Sequence, residues 1–146
     1  LQDDGDAYNK MKFDFRYFVP AGEMFVFASQ IYFEETAGDV PFYLLPSLGS
    51  QDKLRGYELD RYRDKSIILL QQDMRFDIWG PVGGVVFAGC GRAADKRNSL
   101  FSGQWHTGAG TGLRYFIDRE DNLVLRVDFA WGADAFRFYA TFSEAF

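Results

Sequence analysis

Apolar and polar residues alternate with a period of two along almost the whole chain, and no segment sustains an apolar stripe at helical spacing. Met11, Phe13, Phe15, Tyr17 and Val19 fall on one face and Lys12, Asp14 and Arg16 on the other, before Pro20-Ala21-Gly22 closes a turn. Phe25, Phe27, Ile31 and Phe33 then oppose Gln30, Tyr32 and Glu34. After a long irregular stretch, Ile68, Leu70, Gln72, Met74, Phe76 and Ile78 alternate with Leu69, Gln71, Asp73, Arg75 and Asp77, up to Trp79-Gly80-Pro81. Residues 84–91 form a short glycine-rich strand. Residues 107–117 place Ala109, Leu113, Tyr115 and Ile117 against glycines and Arg114, and 118–122 make a tight polar turn. Leu123, Leu125, Val127, Phe129 and Trp131 oppose Arg126 and Asp128. The last strand sets Phe136, Phe138, Ala140, Phe142 and Phe146 against Arg137, Tyr139, Thr141 and Ser143. The pattern predicts an all-β, antiparallel chain of seven or eight strands, one domain over residues 1–146.

Alternation alone fits either a sandwich, including a lipocalin-like fold, or a barrel in lipid that turns its apolar face outward. Two features favour the transmembrane β-barrel. The polar faces carry Asp73, Arg75, Asp77, Arg114, Arg126, Asp128 and Arg137, mixed in sign as an enclosed lumen requires. Connections also alternate short (19–23, 79–83, 118–122) with long (36–64, 92–106), as in outer-membrane barrels with tight periplasmic turns and longer outer loops. Each strand approaches the roughly 9 to 11 residues that a tilted strand needs to cross a bilayer.

Composition sharpens this reading. Phe 16, Tyr 8 and Trp 3 in 146 residues exceed what so small a domain ordinarily buries, so something apolar must cover many of them. No apolar run is long enough for a membrane helix. The net charge of -5 and pI near 4.8 argue against nucleic acid as a partner. The single cysteine, Cys90, forms no intrachain disulfide, and the single histidine, His106, supplies no His-rich metal site; no metal or cofactor is expected. Neither residue carries catalysis in this reading: His106 is an ordinary loop or lumen histidine, and Cys90 faces outward. No secretory signal opens the chain, which implies that one was removed or that this is part of a longer protein. Trp79 and Trp131 sit at strand ends, as interfacial girdle residues do.

Five ordered segments carry a family resemblance. They are Leu54-Arg55-Gly56-Tyr57 with Arg63-Asp64 and Asp73-Met74-Arg75-Phe76; Phe87-Ala88-Gly89-Cys90-Gly91; Gly110-Thr111-Gly112-Leu113-Arg114-Tyr115; Leu125-Arg126-Val127-Asp128-Phe129-Ala130; and Phe142-Ser143-Glu144-Ala145-Phe146. From about Phe13 to Phe146 the chain resembles the barrel of the BamA/TamA outer-membrane assembly and translocation superfamily, the bacterial surface antigen family. The resemblance implies roughly the C-terminal half of a family barrel, integral to the bacterial outer membrane. It also implies that 36–64 is a long extracellular loop folding into the lumen, with its Arg55-Gly56-Tyr57 tip against acidic residues of the inner wall. Asp73 stands at the family's Glu position, points inward with Arg75, and is the first choice of partner for Arg55. Gly89 replaces the family's inward aspartate, which implies either a more loosely anchored loop or recruitment of Asp77 or Asp128 as second acceptor.

Gly108, Gly110 and Gly112 share one face of their strand. A phosphate-cradling loop is excluded because no helix follows them. They offer instead a smooth inner wall on which the Arg55 loop can dock. The terminal strand, with Phe138, Phe142 and the aromatic end residue Phe146 on one face, resembles the signal by which outer-membrane barrels are recognised during assembly; Glu144 departs from its generic form.

The function implied is assembly, insertion or translocation of polypeptides at the outer membrane, with unfolded outer-membrane or secreted chains as clients and lipid around the barrel. A different class, a passive pore or a structural anchor for an upstream soluble domain, is the alternative; an enzyme is not expected. Because family barrels have about twice as many strands, this segment must close into a small barrel, pair with another copy as a homo-oligomer, or complete a barrel with further chain. Residues 1–10 are then the remnant of a loop, or follow a strand that lies upstream.

Overall fold

A computed structural model describes residues 8–118, 123–133, 135–142 and 146. The turn expected at 118–122 lies mostly outside these residues, as do residues 1–7 and the Ser143, Glu144 and Ala145 part of the terminal motif.

The protein is all-β. Strands β1 (Tyr8–Ala21), β2 (Phe25–Gly38), β5 (Ser66–Trp79), β6 (Val82–Ala94), β7 (His106–Asp118), β8 (Leu123–Trp131) and β9 (Phe136–Phe142) form one antiparallel sheet in the order β1-β2-β5-β6-β7-β8-β9. Two short strands, β3 (Ser47–Leu48) and β4 (Tyr62–Arg63), pair within the β2–β5 connection. Sequential neighbours pair throughout, as expected for strands joined by tight turns or by loops at one end.

The sheet is not a closed barrel: β1 and β9 are its two edges. Topology explains this departure from the expected closure. Seven strands alternating in direction leave β1 and β9 running the same way. Joining them would make a parallel seam in an otherwise antiparallel sheet, with slanted and slightly weaker pairing.

The two faces separate as the alternation predicts. On one face Gln30, Glu34, Ile67, Leu69, Gln71, Asp73, Val85, Phe87, Arg114, Arg126 and Asp128 are buried. On the other, Phe13, Phe15, Phe27, Ile31, Leu113, Tyr115, Phe138 and Phe142 are exposed, Phe142 to 67%. The first is called the inner face below. The charged residues are thus inside and many large apolar ones outside, the reverse of an ordinary soluble domain.

One boundary shifts. Thr36, expected to open the long loop, is a buried residue of β2, which runs on to Gly38 because β1 begins at Tyr8 and the ladder continues to the Tyr8–Gly38 pair. The connection proper is 39–65. It packs on the inner face, where Leu48, Leu54 and Tyr57 form a core with Tyr32, Ile67 and Leu69.

Candidate functional site: a loop tip held on the inner face

The tip of the loop is fixed one residue at a time. Gln71 faces inward on β5; its Oε1 accepts from the Leu54 backbone N–H (3.1 Å), and its Nε2 donates to the Asp52 carbonyl (2.9 Å) and to Gln30 Oε1 (3.0 Å). Leu54 takes the left-handed backbone conformation, with φ +55, which costs a branched residue about 1–2 kcal/mol. Its fully buried side chain and the Gln71 bond hold it there.

That turn aims Arg55 at the inner wall. Its Nη2 donates to Asp73 Oδ1 on β5, and its Nη1 to Asp128 Oδ2 on β8 at 3.2 Å. The guanidinium lies 3.5 Å from the centroid of the Phe87 ring on β6. Arg55 is 2% exposed and both aspartates 0%, so this ion cluster is removed from water. A planar fork serves such a site better than an ammonium because one group meets two carboxylates and stacks on a ring.

This arrangement shows how the sheet is shaped. β5 and β8 are three strand spacings apart, about 14 Å in a flat sheet, and side chains stand roughly perpendicular to it. One guanidinium cannot bridge such a gap. The sheet therefore curls around the loop and brings β5 and β8 together over Arg55.

Asp128 is the hub of the cluster. Its Oδ1 accepts from Arg114 Nη1 (2.6 Å), while Arg126 Nε stands 3.4 Å from Oδ2. Arg126, fully buried, donates to the Asp52 side chain and to the Gln51 carbonyl, each at 3.0 Å. Arg114 and Arg126 face each other across the β7–β8 pair, a repulsive placement that Asp128 beside them offsets.

Gly56 and Tyr57 complete the tip. Gly56 has φ +105, and a Cβ there would stand 2.7–2.9 Å from backbone atoms of Trp131 and Gly132, so only glycine fits. Tyr57 Oη donates to the Thr107 carbonyl (2.7 Å) and accepts from the Ala133 N–H (3.1 Å). Its ring stands edge-on to Tyr62 and His106, and His106 stacks on Tyr62 at 3.6 Å between centroids.

The glycine face of β7 meets the loop at one point. A Cβ on Gly108 would overlap the Arg55 carbonyl oxygen, so the loop backbone lies directly on that glycine. Cβ atoms on Gly110 and Gly112 would instead overlap their own sheet neighbours, the Phe129 carbonyl and the Asp128 carboxylate. Of the two suggested second acceptors, Asp128 meets Arg55. Asp77 lies four residues beyond Asp73 and is exposed. Arg75 stands beside the tip's acceptor, its Nη2 3.6 Å from Asp73 Oδ2; that Nη2 also donates to the Phe146 carbonyl (2.9 Å), and the guanidinium lies 5.5 Å from the Phe146 ring.

Phe146 departs from expectation. Counting by twos groups it with Phe138 and Phe142, which are exposed at 56% and 67%; Phe146 is instead buried against Ala28 at 8% exposure. Phe146 itself lies outside a strand, so strand parity does not govern it, and Arg75 and Ala28 provide an inner-face seat. At Gly89 a Cβ would stand 3.3 Å from Gln71 Cγ: the space above this glycine is occupied by Gln71, a polar anchor of the loop from the neighbouring strand. Cys90 lies on the other face of β6, in register with Leu70 and Thr107.

Gln71 and Tyr139 are site residues outside every motif quoted above, and Phe87 and Arg126 lie inside motifs that gave them no role at the tip. Their one signal in the sequence is an inward position on the strand that carries them.

No family model matches the chain, and no curated protein matches it.

Proposed function

We propose that the chain is a transmembrane β-sheet domain of the BamA/TamA assembly and translocation type, resident in the bacterial outer membrane, that guides polypeptides into or across it. The observation that carries this reading is the Arg55 tip, buried between Asp73 and Asp128 on the charged face of a sheet whose opposite face exposes Phe13, Phe15, Phe138 and Phe142. In lipid the aromatic face is solvated by acyl chains, and the charged residues pair with one another away from them. Two sheet edges remain for further strands, and exchange of backbone hydrogen bonds at such an edge is a physical means of handing on a strand without covalent chemistry.

A second reading is favoured by how fully the loop is tied down. With anchors from Gln51 to Glu58, the domain fits a passive plugged pore or an anchor for a soluble domain. Planar-bilayer recording of wild type and Arg55→Ala, together with an assay of another barrel's insertion into liposomes, separates the two. Stimulated insertion that Arg55→Ala abolishes supports the first reading. A stable pore unaffected by Arg55→Ala, with no stimulation, overturns it.

A further inference from the structure

Among the described residues the β9 edge strand is the shortest in the sheet, pairing with β8 over the seven residues Phe136–Phe142. It is also the strand farthest from the loop's own position in the sheet, yet the tip grips it. Tyr139, inward on β9 and in register with Asp128, donates from Oη to the Tyr57 carbonyl (2.8 Å) and accepts the Gly56 N–H (3.1 Å). One phenol thus serves as acceptor and donor to the two tip residues, which a phenylalanine could not do. Tyr57 Oη meanwhile holds the Ala133 N–H in the β8–β9 connection, and Gly56 lies against Gly132. Arg137 on β9 adds an exposed pair with Glu58 at 2.6 Å, worth little by itself.

From this we propose that the docked tip is a clasp on the β9 edge, with Tyr139 as the positioning residue that couples loop docking to the hold of β9 on the sheet. When the tip leaves, β9 loses these ties to the loop and keeps its seven-residue ladder with β8. A loop that responds to the inner space thereby sets how readily the edge opens. The clasp deepens the proposed function, and rests on it only for what the opened edge would then do.

The test is amide hydrogen exchange of the full chain in detergent micelles, comparing wild type, Tyr139→Phe, Arg55→Lys and the double variant. Removing the hydroxyl takes two hydrogen bonds, so Tyr139→Phe speeds exchange roughly tenfold in both 54–58 and 136–142 and leaves 25–38 unchanged. Arg55 carries the decisive arm, because its partners Asp73, Asp128 and Phe87 all lie off β9. Arg55→Lys must still speed exchange at 136–142, and adding Tyr139→Phe must change β9 no further. If Tyr139→Phe does not fold, exchange at 136–142 in Arg55→Lys alone decides the matter. Unchanged exchange there in Arg55→Lys, or additive effects in the double variant, overturns the clasp. Exchange is measured without any client, so a failed insertion assay leaves this result standing, and the converse holds.

Discussion

Asp73 and Asp128 stand on strands three places apart, and a single guanidinium, that of Arg55, bonds both. The relationship ties the curl of the sheet to the seating of the loop. Removing the bridging charge leaves two buried carboxylates at close quarters, with only the remaining arginines to oppose them.

Arg55→Ala is therefore expected to destabilise the docked state by about 3–5 kcal/mol, the usual cost of removing one partner from a buried pair. The loop over 39–65 then becomes open to protease at Lys53, Arg61, Arg63 and Lys65, while the strands stay protected. Limited trypsin digestion in detergent, timed against wild type, measures this.

Asp128→Asn should cost more than Asp73→Asn. Asp128 faces Arg55, Arg114 and Arg126, whereas Asp73 faces Arg55 and, at 3.6 Å, Arg75. Denaturant unfolding followed by tryptophan fluorescence gives the order. A double-mutant cycle of Arg55→Ala with each aspartate variant then isolates the two couplings.

Gly108→Ala should release the tip although it alters no charge. Its methyl group would overlap the Arg55 carbonyl oxygen, and overpacking of this kind costs about 1–3 kcal/mol. Ala109→Gly, one residue away on the exposed face, is the control and should leave loop proteolysis unchanged.

Tyr57→Phe removes the bonds to Thr107 and Ala133 but keeps the ring in the Leu54 and Ile67 core. A loss of about 1 kcal/mol is expected, because a part-buried carbonyl and a part-buried backbone N–H lose their partner. The same unfolding measurement detects it.

The strands and their inward faces were legible in the sequence because a period of two fixes which side each residue occupies. The inward placement of Asp73, Asp128 and Gly108 was read that way, whereas the pairing of Arg55 with an acidic wall was an expectation from the family resemblance. Gln71, Phe87 and Tyr139 share the inward parity, but their roles arise only once the sheet curls and a loop from between β2 and β5 lies across β6 to β9. Alternation carries no information on such cross-strand distances. Phe146 was misplaced for a related reason: parity holds only while a residue belongs to a strand, and Phe146 itself lies outside one.

The most direct test is electron paramagnetic resonance of nitroxide labels placed singly along β1, in a Cys90→Ser background reconstituted in phospholipid vesicles. Labels at 11, 13, 15 and 17 should be accessible to oxygen dissolved in the bilayer, and labels at 10, 12, 14 and 16 to a water-soluble nickel reagent, with a period of two. A water-soluble monomer that needs no lipid, whose labels at 11–17 show no such alternation, would contradict the account.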